Sequence, residues 1–334
     1  MNAGRSGMCG VLVTGGFGFI GSHLVERLLP DPNTRVHVVD NMSSSPIDVD
    51  AFVRQLAGRE RLTYDICGLE DYSTRVSDRH FDEIYHLAAV VGPVGVLPHA
   101  GKIAGMMVND TARIIALGLA HGAKVVDVST SEVYGGGRDG YCSERDFKVI
   151  QPKVTVRLEY AVGKLAAEIA LINSTKVTPL RACIVRPFNV AGPRQSGKGG
   201  FVLPRFIGQA LRGEPITVYG DGSMVRAFTH VADIADGLIA AMARGGSGEA
   251  YNLGNPANKT SILDLAQRVL DRVGGPSKID FVDPKELFGP LFEEANDKYP
   301  DADKSMSELG WRPKYDIDRV ILDTAEYMRS GRRA

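Results

Sequence analysis

The chain has 334 residues, 44% of them hydrophobic and 24% charged, with a formal net charge of −1. That composition supports an ordinary buried core and excludes a disordered chain. The balanced charge excludes the basic footprint of a nucleic-acid or anionic-membrane binder.

In chain order, residues 11–14 have strand character and run into Gly15, Gly18 and Gly21, spaced G-x-x-G-x-x-G, before an apolar helical stretch at 19–29. A strand, a tight glycine turn and a helix N-terminus make a phosphate cradle. Gly15 allows a positive φ, Gly18 a close approach to a pyrophosphate, and Gly21 close packing of helix on strand. The free N–H groups and helix dipole then face negative charge. Asp40 ends the next strand, 36–40, where a ribose-binding acid belongs, so a dinucleotide site is predicted. Residues 41–61 are polar and irregular and read as a variable connection. Further strands at 62–65, 83–87, 125–129 and 181–185 alternate with helices at 70–77, 106–121 and 156–174. This predicts an α/β fold, a doubly wound parallel sheet whose ligands sit at the carboxyl ends of its strands. The informative residues do follow predicted strands: Gly15, Asp40, Asp65, Leu87-Ala88-Ala89 and Ser129-Thr130-Ser131-Glu132. Asp65 can accept from an adenine amino group or serve as a turn or cap residue.

From about Arg186 glycines and prolines punctuate the chain, with helices predicted at 202–212, 231–243 and 317–328 and isolated short strands. The expected division is 1–185 for dinucleotide binding and 186–334 for a smaller, interleaved domain. Residues 285–300 read as a long loop near the mouth of the site. Cys9, Cys67, Cys142 and Cys183 form no C-x-x-C pair. Neither a metal site nor disulfides are expected, and reduced thiols fit a cytoplasmic setting. No signal peptide or transmembrane helix is expected either.

Tyr160 and Lys164 lie four residues apart in the 156–174 helix, on one face. A tyrosine with a pKa of about 10 is a poor base. A nearby ammonium and a positive nicotinamide ring favour its phenolate, which can take a proton from a sugar hydroxyl. Thr130 and Ser131 can hydrogen-bond the same oxygen. Glu132 adds a carboxylate that could move a proton at the carbon next to a carbonyl. Arg226 and Arg194 suit bidentate phosphate binding. Arg157 and Glu159, just before Tyr160, are expected to face solvent, with the reading of an unusual sugar as the alternative.

Together these stretches, with His86–Ala89, Arg186–Arg194, Val218–Asp233, Tyr251–Pro256 and Pro300–Lys304, resemble the extended short-chain dehydrogenase/reductase family that modifies nucleotide sugars. The resemblance covers nearly the whole chain. It implies a Rossmann-type domain holding NAD through Gly15, Gly18, Phe19, Ile20, Gly21, Asp40, Asn41, Asp65, Ile66, Leu87, Ala88, Ala89, Ser129, Tyr160, Lys164 and Pro187. It implies a nucleotide-diphosphate sugar on Asn189, Val202, Tyr219, Arg226 and Arg194. It also implies a homodimer through the 106–121 and 156–174 helices. Thr130, Ser131, Glu132, Tyr160 and Lys164 would act through a C4-keto sugar. The Thr-Ser-Glu triplet and the C-terminal half look most like UDP-glucuronate decarboxylases. A 4,6-dehydratase with Glu132 as the C5 base, a 4-epimerase or 4-dehydrogenase, and a non-catalytic NAD-binding sensor are the alternatives. Departures from the decarboxylase pattern at Val90–Gly95, Arg157–Glu159 and Gly163 fall where the resemblance puts the sugar pocket, which leaves the sugar open.

Overall fold

The structure is a computed structural model that describes residues 7–75, 78–135, 141–150, 152–197, 200–289 and 297–331. Strand and helix alternate through its first half: β1 (Cys9–Thr14), α1 (Phe19–Leu28), β2 (Thr34–Asp40), α2 (Val49–Gln55), β3 (Leu62–Ile66), α3 (Leu69–Ser73), β4 (Glu83–His86), α4 (Ile103–His121), β5 (Lys124–Val128), β6 (Tyr141–Cys142), α5 (Val156–Val177) and β7 (Arg181–Pro187). The second half runs β8 (Val190–Ala191), α6 (Val202–Arg212), β9 (Ile216–Tyr219), β10 (Val225–Ala227), β11 (Thr229–His230), α7 (Val231–Arg244) and β12 (Ala250–Leu253). It ends with β13 (Lys259–Ser261), α8 (Ile262–Val273), β14 (Ile279–Val282), α9 (Pro284–Phe288), β15 (Tyr299–Pro300), α10 (Asp303–Glu308) and α11 (Ile317–Arg329).

Seven strands form one parallel sheet in the order β12-β7-β5-β4-β1-β2-β3. The order reverses between β1 and β4, which opens a crevice at the carboxyl ends of those strands. β1 is buried along almost its whole length, as a central parallel strand covered on both faces must be. Alternate residues feed two apolar layers. Val11, Val13, Val126 and Val185 pack with α1 and α7, while Leu12, Ile84, Val125 and Ile184 pack with residues of α4 and α5. A third core joins α6, α8 and α11 around β9. The second half therefore builds a core of its own, yet returns to the sheet through α7, which packs on α1, and through β12.

Several elements differ from expectation. The connection 41–61 contains α2, capped by Asp48 and anchored by buried Phe52. The helix expected at 70–77 is the shorter α3, and residues 76–77 of that expectation lie outside the described residues. Helix α8 was not anticipated, although Ile262, Leu265, Ala266 and Val269 form a helical stripe behind the Ser261 cap. In the 285–300 stretch, residues 290–296 lie outside the described residues. The rest is not all loop, since α9 opens it and β15 closes it beside β6.

Candidate active site

The glycine turn follows β1 at the crevice. Gly15 has φ +71°, and a Cβ there would stand 2.7 Å from the backbone nitrogen of Ala88. A Cβ on Gly21 would come within 2.1 Å of the Gly15 carbonyl oxygen. Gly21 thus makes room for the turn itself, where close packing on the strand was expected. Phe19 and Ile20 open α1, half-buried over the turn. Asp40 is buried, and its carboxylate accepts from the Phe17 amide at 3.0 Å and the Met42 amide at 2.8 Å. Burial pushes its pKa up and those amides pull it back. Asn41 is exposed and forms a turn with the Ser43 amide. Leu87, Ala88 and Ala89 line the other side half-buried, with the Leu87 amide donating to the Thr14 carbonyl. Ser129, after β5, is buried and its hydroxyl has no partner among the described residues. A turn that admits no Cβ, an acid beside it and an unpaired hydroxyl at a neighbouring strand end fit a bound dinucleotide. Replacing Gly21 with Ala is therefore expected to lower the NAD content of purified protein by about tenfold, ~1.4 kcal/mol of affinity. Chromatography of the released nucleotide measures this.

Asp65 is placed differently from the simplest expectation. One carboxylate oxygen stands 3.1 Å from Nε2 of His37 and the other 3.4 Å from Arg75. Arg75 donates to one of these oxygens, which leaves the carboxylate lone pairs with which to accept from an adenine amino group. Ile66 beside it is exposed, and Pro187 is buried at the end of β7.

Tyr160 projects from α5 into an apolar nest of Val96, Ile103, Met107 and Val156, with Ala89 and Val90 alongside. Burial raises the phenol well above its ordinary value. The Thr130 hydroxyl, hydrogen-bonded to it, and the charge of Arg157 pull it back. Thr130 also caps the turn after β5, accepting from the Glu132 amide at 3.2 Å. Lys164, one helical turn beyond Tyr160, is buried and donates to the Val128 carbonyl at 2.8 Å. The carbonyl holds the ammonium at the end of β5 without neutralising it.

Glu132 corrects the sequence reading. Its carboxylate receives Nε of Arg157 at 2.8 Å and Nη2 at 2.9 Å, and it also accepts from Lys298. Burial alone would raise its pKa, but Arg157 and Lys298 outweigh burial and hold it well below the usual carboxylate range. A carboxylate clamped in this way is a very weak base, which argues against the expected proton transfer at C5. Ser131 is buried beside it. Lys298 itself is 1% exposed, and burial brings its pKa down to about 8.

Arg157 and Glu159 also depart from the expected solvent-facing placement. Arg157 points into the site, and Glu159 accepts from the Gly101 and Ala104 amides at the start of α4. Gly163 faces Ala104 on α4, and Val90 packs near Tyr160. Nothing in the sequence pattern marked Lys298, because its neighbours are acidic and only the fold carries it to Glu132. A bridge pairs it with Arg226 on β10.

The residues expected to hold a nucleotide diphosphate separate into two groups. Arg226 is buried beside Lys298, and Asn189 donates to the Ala227 carbonyl at 3.2 Å, which ties it to the same strand. Val202 opens α6, and Tyr219 ends β9 with the Arg205 guanidinium 3.7 Å above its ring. Arg194 is not with them. Its guanidinium makes a bidentate pair with Glu26 of α1, at 2.8 and 2.6 Å, so its charge is already matched, and Nε is the donor left for a phosphate.

Comparison with known proteins adds to this geometry. A model of the NAD dependent epimerase/dehydratase family matches residues 11–254. The chain is 33% identical over 319 residues to UDP-N-acetyl-alpha-D-glucosaminuronate decarboxylase of Bacillus cytotoxicus, covering 95% of this chain and 97% of that protein. It is 32% identical over 325 residues to UDP-glucuronic acid decarboxylase 1 of Xenopus tropicalis, covering 96% of this chain and 72% of that protein. The solved UDP-glucuronic acid 4-epimerase from Bacillus cereus, in complex with UDP-glucuronic acid and NAD, superimposes with a TM-score of 0.83 at 26% identity, covering 96% of this chain and 99% of that chain.

Proposed function

This chain belongs to the NAD-dependent epimerase/dehydratase family, its cofactor is NAD, and we propose that it decarboxylates a UDP-linked uronate, with UDP-glucuronate as first choice. The observation that carries this is the charge around Glu132. Two cations, Arg157 and Lys298, stand against its one negative charge, with Arg226 beside Lys298. The site is net positive beside Tyr160, which suits a sugar that carries its own carboxylate. The three relatives described above are named for uronate substrates.

Bound NAD supplies an acceptor for hydride from C4 and, once reduced, a donor that returns it. Tyr160 takes the proton of the C4 hydroxyl, and Thr130 holds that oxygen in line. Lys164, through its charge, favours the phenolate. With a ketone at C4 the uronate is a β-keto acid. The C5–C6 bond breaks, carbon dioxide leaves, and the electron pair moves to the C4 oxygen, within reach of Thr130 and Tyr160. A proton from water then adds at C5, and the proton held on Tyr160 returns to the C4 oxygen when C4 is reduced. Glu132, locked as an anion, orders Arg157 and Lys298 and removes no proton itself, which disfavours the dehydratase alternative. Asn189, Val202, Tyr219 and Arg226 hold the nucleotide diphosphate in this reading. Two copies pair through α4 and α5, whose outer faces expose Met106, Val108, Leu119 and Ile169.

Mass spectrometry of UDP-glucuronate and UDP-N-acetylglucosaminuronate incubated with the protein tests the proposal. Loss of carbon dioxide from either is the expected outcome. Loss of water, or recovery of both uronates unchanged while another nucleotide sugar is consumed, would overturn it.

A further inference from the structure

Beneath the catalytic pair the three central strands carry a row of polar side chains in one register. Thr14 on β1 pairs with His86 on β4, and His86 with Asp127 on β5. The residues two positions earlier, Leu12, Ile84 and Val125, belong to the apolar layer shared with α4 and α5. Strand alternation therefore turns the three polar side chains toward those helices as well. The register partners that flank the row are apolar, Val39 beside Thr14 and Ile184 beside Asp127. All three polar residues are buried, Asp127 to 1% exposure.

The Ala88 amide donates to the Thr14 hydroxyl at 3.4 Å, and that hydroxyl lies 2.7 Å from Nδ1 of His86. With one lone pair taken by the Ala88 amide, the hydroxyl can still either donate to Nδ1 or accept from it, according to the imidazole tautomer. Nε2 faces Oδ1 of Asp127 at 4.0 Å, too far for a hydrogen bond. Oδ1 has no hydrogen-bond partner among the described residues. A carboxylate in the middle of a central strand with an oxygen unsatisfied is costly to fold.

We propose that Asp127, seconded by His86, is a positioning residue for the Tyr160–Lys164 pair: its carboxylate is the counter-charge to Lys164 from below and sets how readily Tyr160 parts with its proton. Lys164 of α5 donates to the carbonyl of Val128 at 2.8 Å, which anchors its ammonium one residue along β5 from Asp127. Lys164 and Glu168 act on the Asp127 carboxyl through their charges, and Asp127 acts on Tyr160 and Cys183 in the same way. Asp110 on α4 acts on Lys164. Glu168 is matched by Arg186 and Asp110 by Arg113, whereas Oδ1 of Asp127 has no hydrogen-bond partner among the described residues, so Asp127 is the carboxylate left to answer Lys164. Burial raises Asp127 to about 6 against the pull of Lys164, while burial and Lys164 lower His86 to about 3. Burial pushes both groups toward their neutral forms, and the charge of Lys164 favours the carboxylate of Asp127 and the neutral imidazole of His86. The negative charge of Asp127 opposes ionisation of Tyr160.

The proposal rests on Tyr160 being the base, and its test is chosen to be separable from turnover. Phenolate absorbance of the NAD-loaded protein is titrated against pH, with Tyr160→Phe subtracted to isolate that one group. Asp127→Asn is expected to lower the Tyr160 midpoint by about half a unit to one unit. The rising limb of the pH–rate profile should move down by the same amount. Asp127→Leu, which removes the charge with a different shape, must give the same shift. Thermal melting and NAD content identify folded samples. An unchanged midpoint in both folded variants would overturn the proposal and leave the decarboxylase reading standing. Failure of every nucleotide sugar to react would sink that reading, yet the phenolate titration would still decide the role of Asp127.

Discussion

Tyr160→Phe is expected to lower kcat with a uronate substrate by roughly a hundredfold to ten-thousandfold, the usual worth of a positioned proton acceptor. The substitution isolates chemistry from folding. Phenylalanine keeps the packing against Val96, Ile103, Met107 and Val156, which accounts for the burial of the ring. Only the hydroxyl and its hydrogen bond with Thr130 disappear. NAD content and melting temperature should stay at their wild-type values while NADH absorbance on addition of substrate disappears. Turnover within a few-fold of wild type would mean that Tyr160 is not the base, and the mechanism would have to be rebuilt around another group.

The largest expected loss of stability is at Arg186→Met. Arg186 on β7 makes a bidentate pair with Glu168 of α5 at 2.9 and 2.6 Å, with side chains 5% and 1% exposed. It also donates to the Tyr134 hydroxyl at 2.9 Å, and that hydroxyl donates to Asn252 on β12. Removing the guanidinium strands a buried carboxylate, at a cost of about 3–5 kcal/mol. The melting midpoint should fall by about 4–7 °C. Replacing both partners, as Arg186→Met with Glu168→Leu, removes the stranded charge and should recover most of the loss. If the double variant melts no higher than the single one, the pair is not the source of the effect. Arg186 and Asn252 lie in stretches that carried the family resemblance, and here they tie β7, α5 and β12 together.

What the sequence disclosed depended on how local each signal was. Six of the seven strands of the sheet, α1, α5 and the glycine turn were legible because strand character, helical spacing and a glycine pattern are written within a few residues of one another, whereas β12 was not named. Helix α6 was placed at its observed bounds for the same reason. Helix α8 carries an equally clear stripe and cap and was passed over because the surrounding segment was judged by its glycines and prolines. Tyr160 and Lys164 could be paired from their spacing. The clamp on Glu132 could not, because one of its cations comes from a distant, unpatterned stretch. Charge alone made Arg194 a phosphate ligand on paper, and only the fold revealed Glu26 opposite it. Asp127 lay unremarked inside a predicted strand because periodicity registers a polar residue as an interruption, without saying what it faces.

The contact between Lys298 and Glu132 spans 166 residues of chain, and this sets an order of events during synthesis. A polypeptide leaves the ribosome N-terminus first, and its earlier parts fold as they emerge. The glycine turn, Asp40, Thr130, Tyr160 and Lys164 are all made before residue 298. Until then Glu132 has Arg157 as the one of its two cations already synthesised. The residues proposed to act at C4 are therefore all synthesised well before the second cation of the Glu132 clamp.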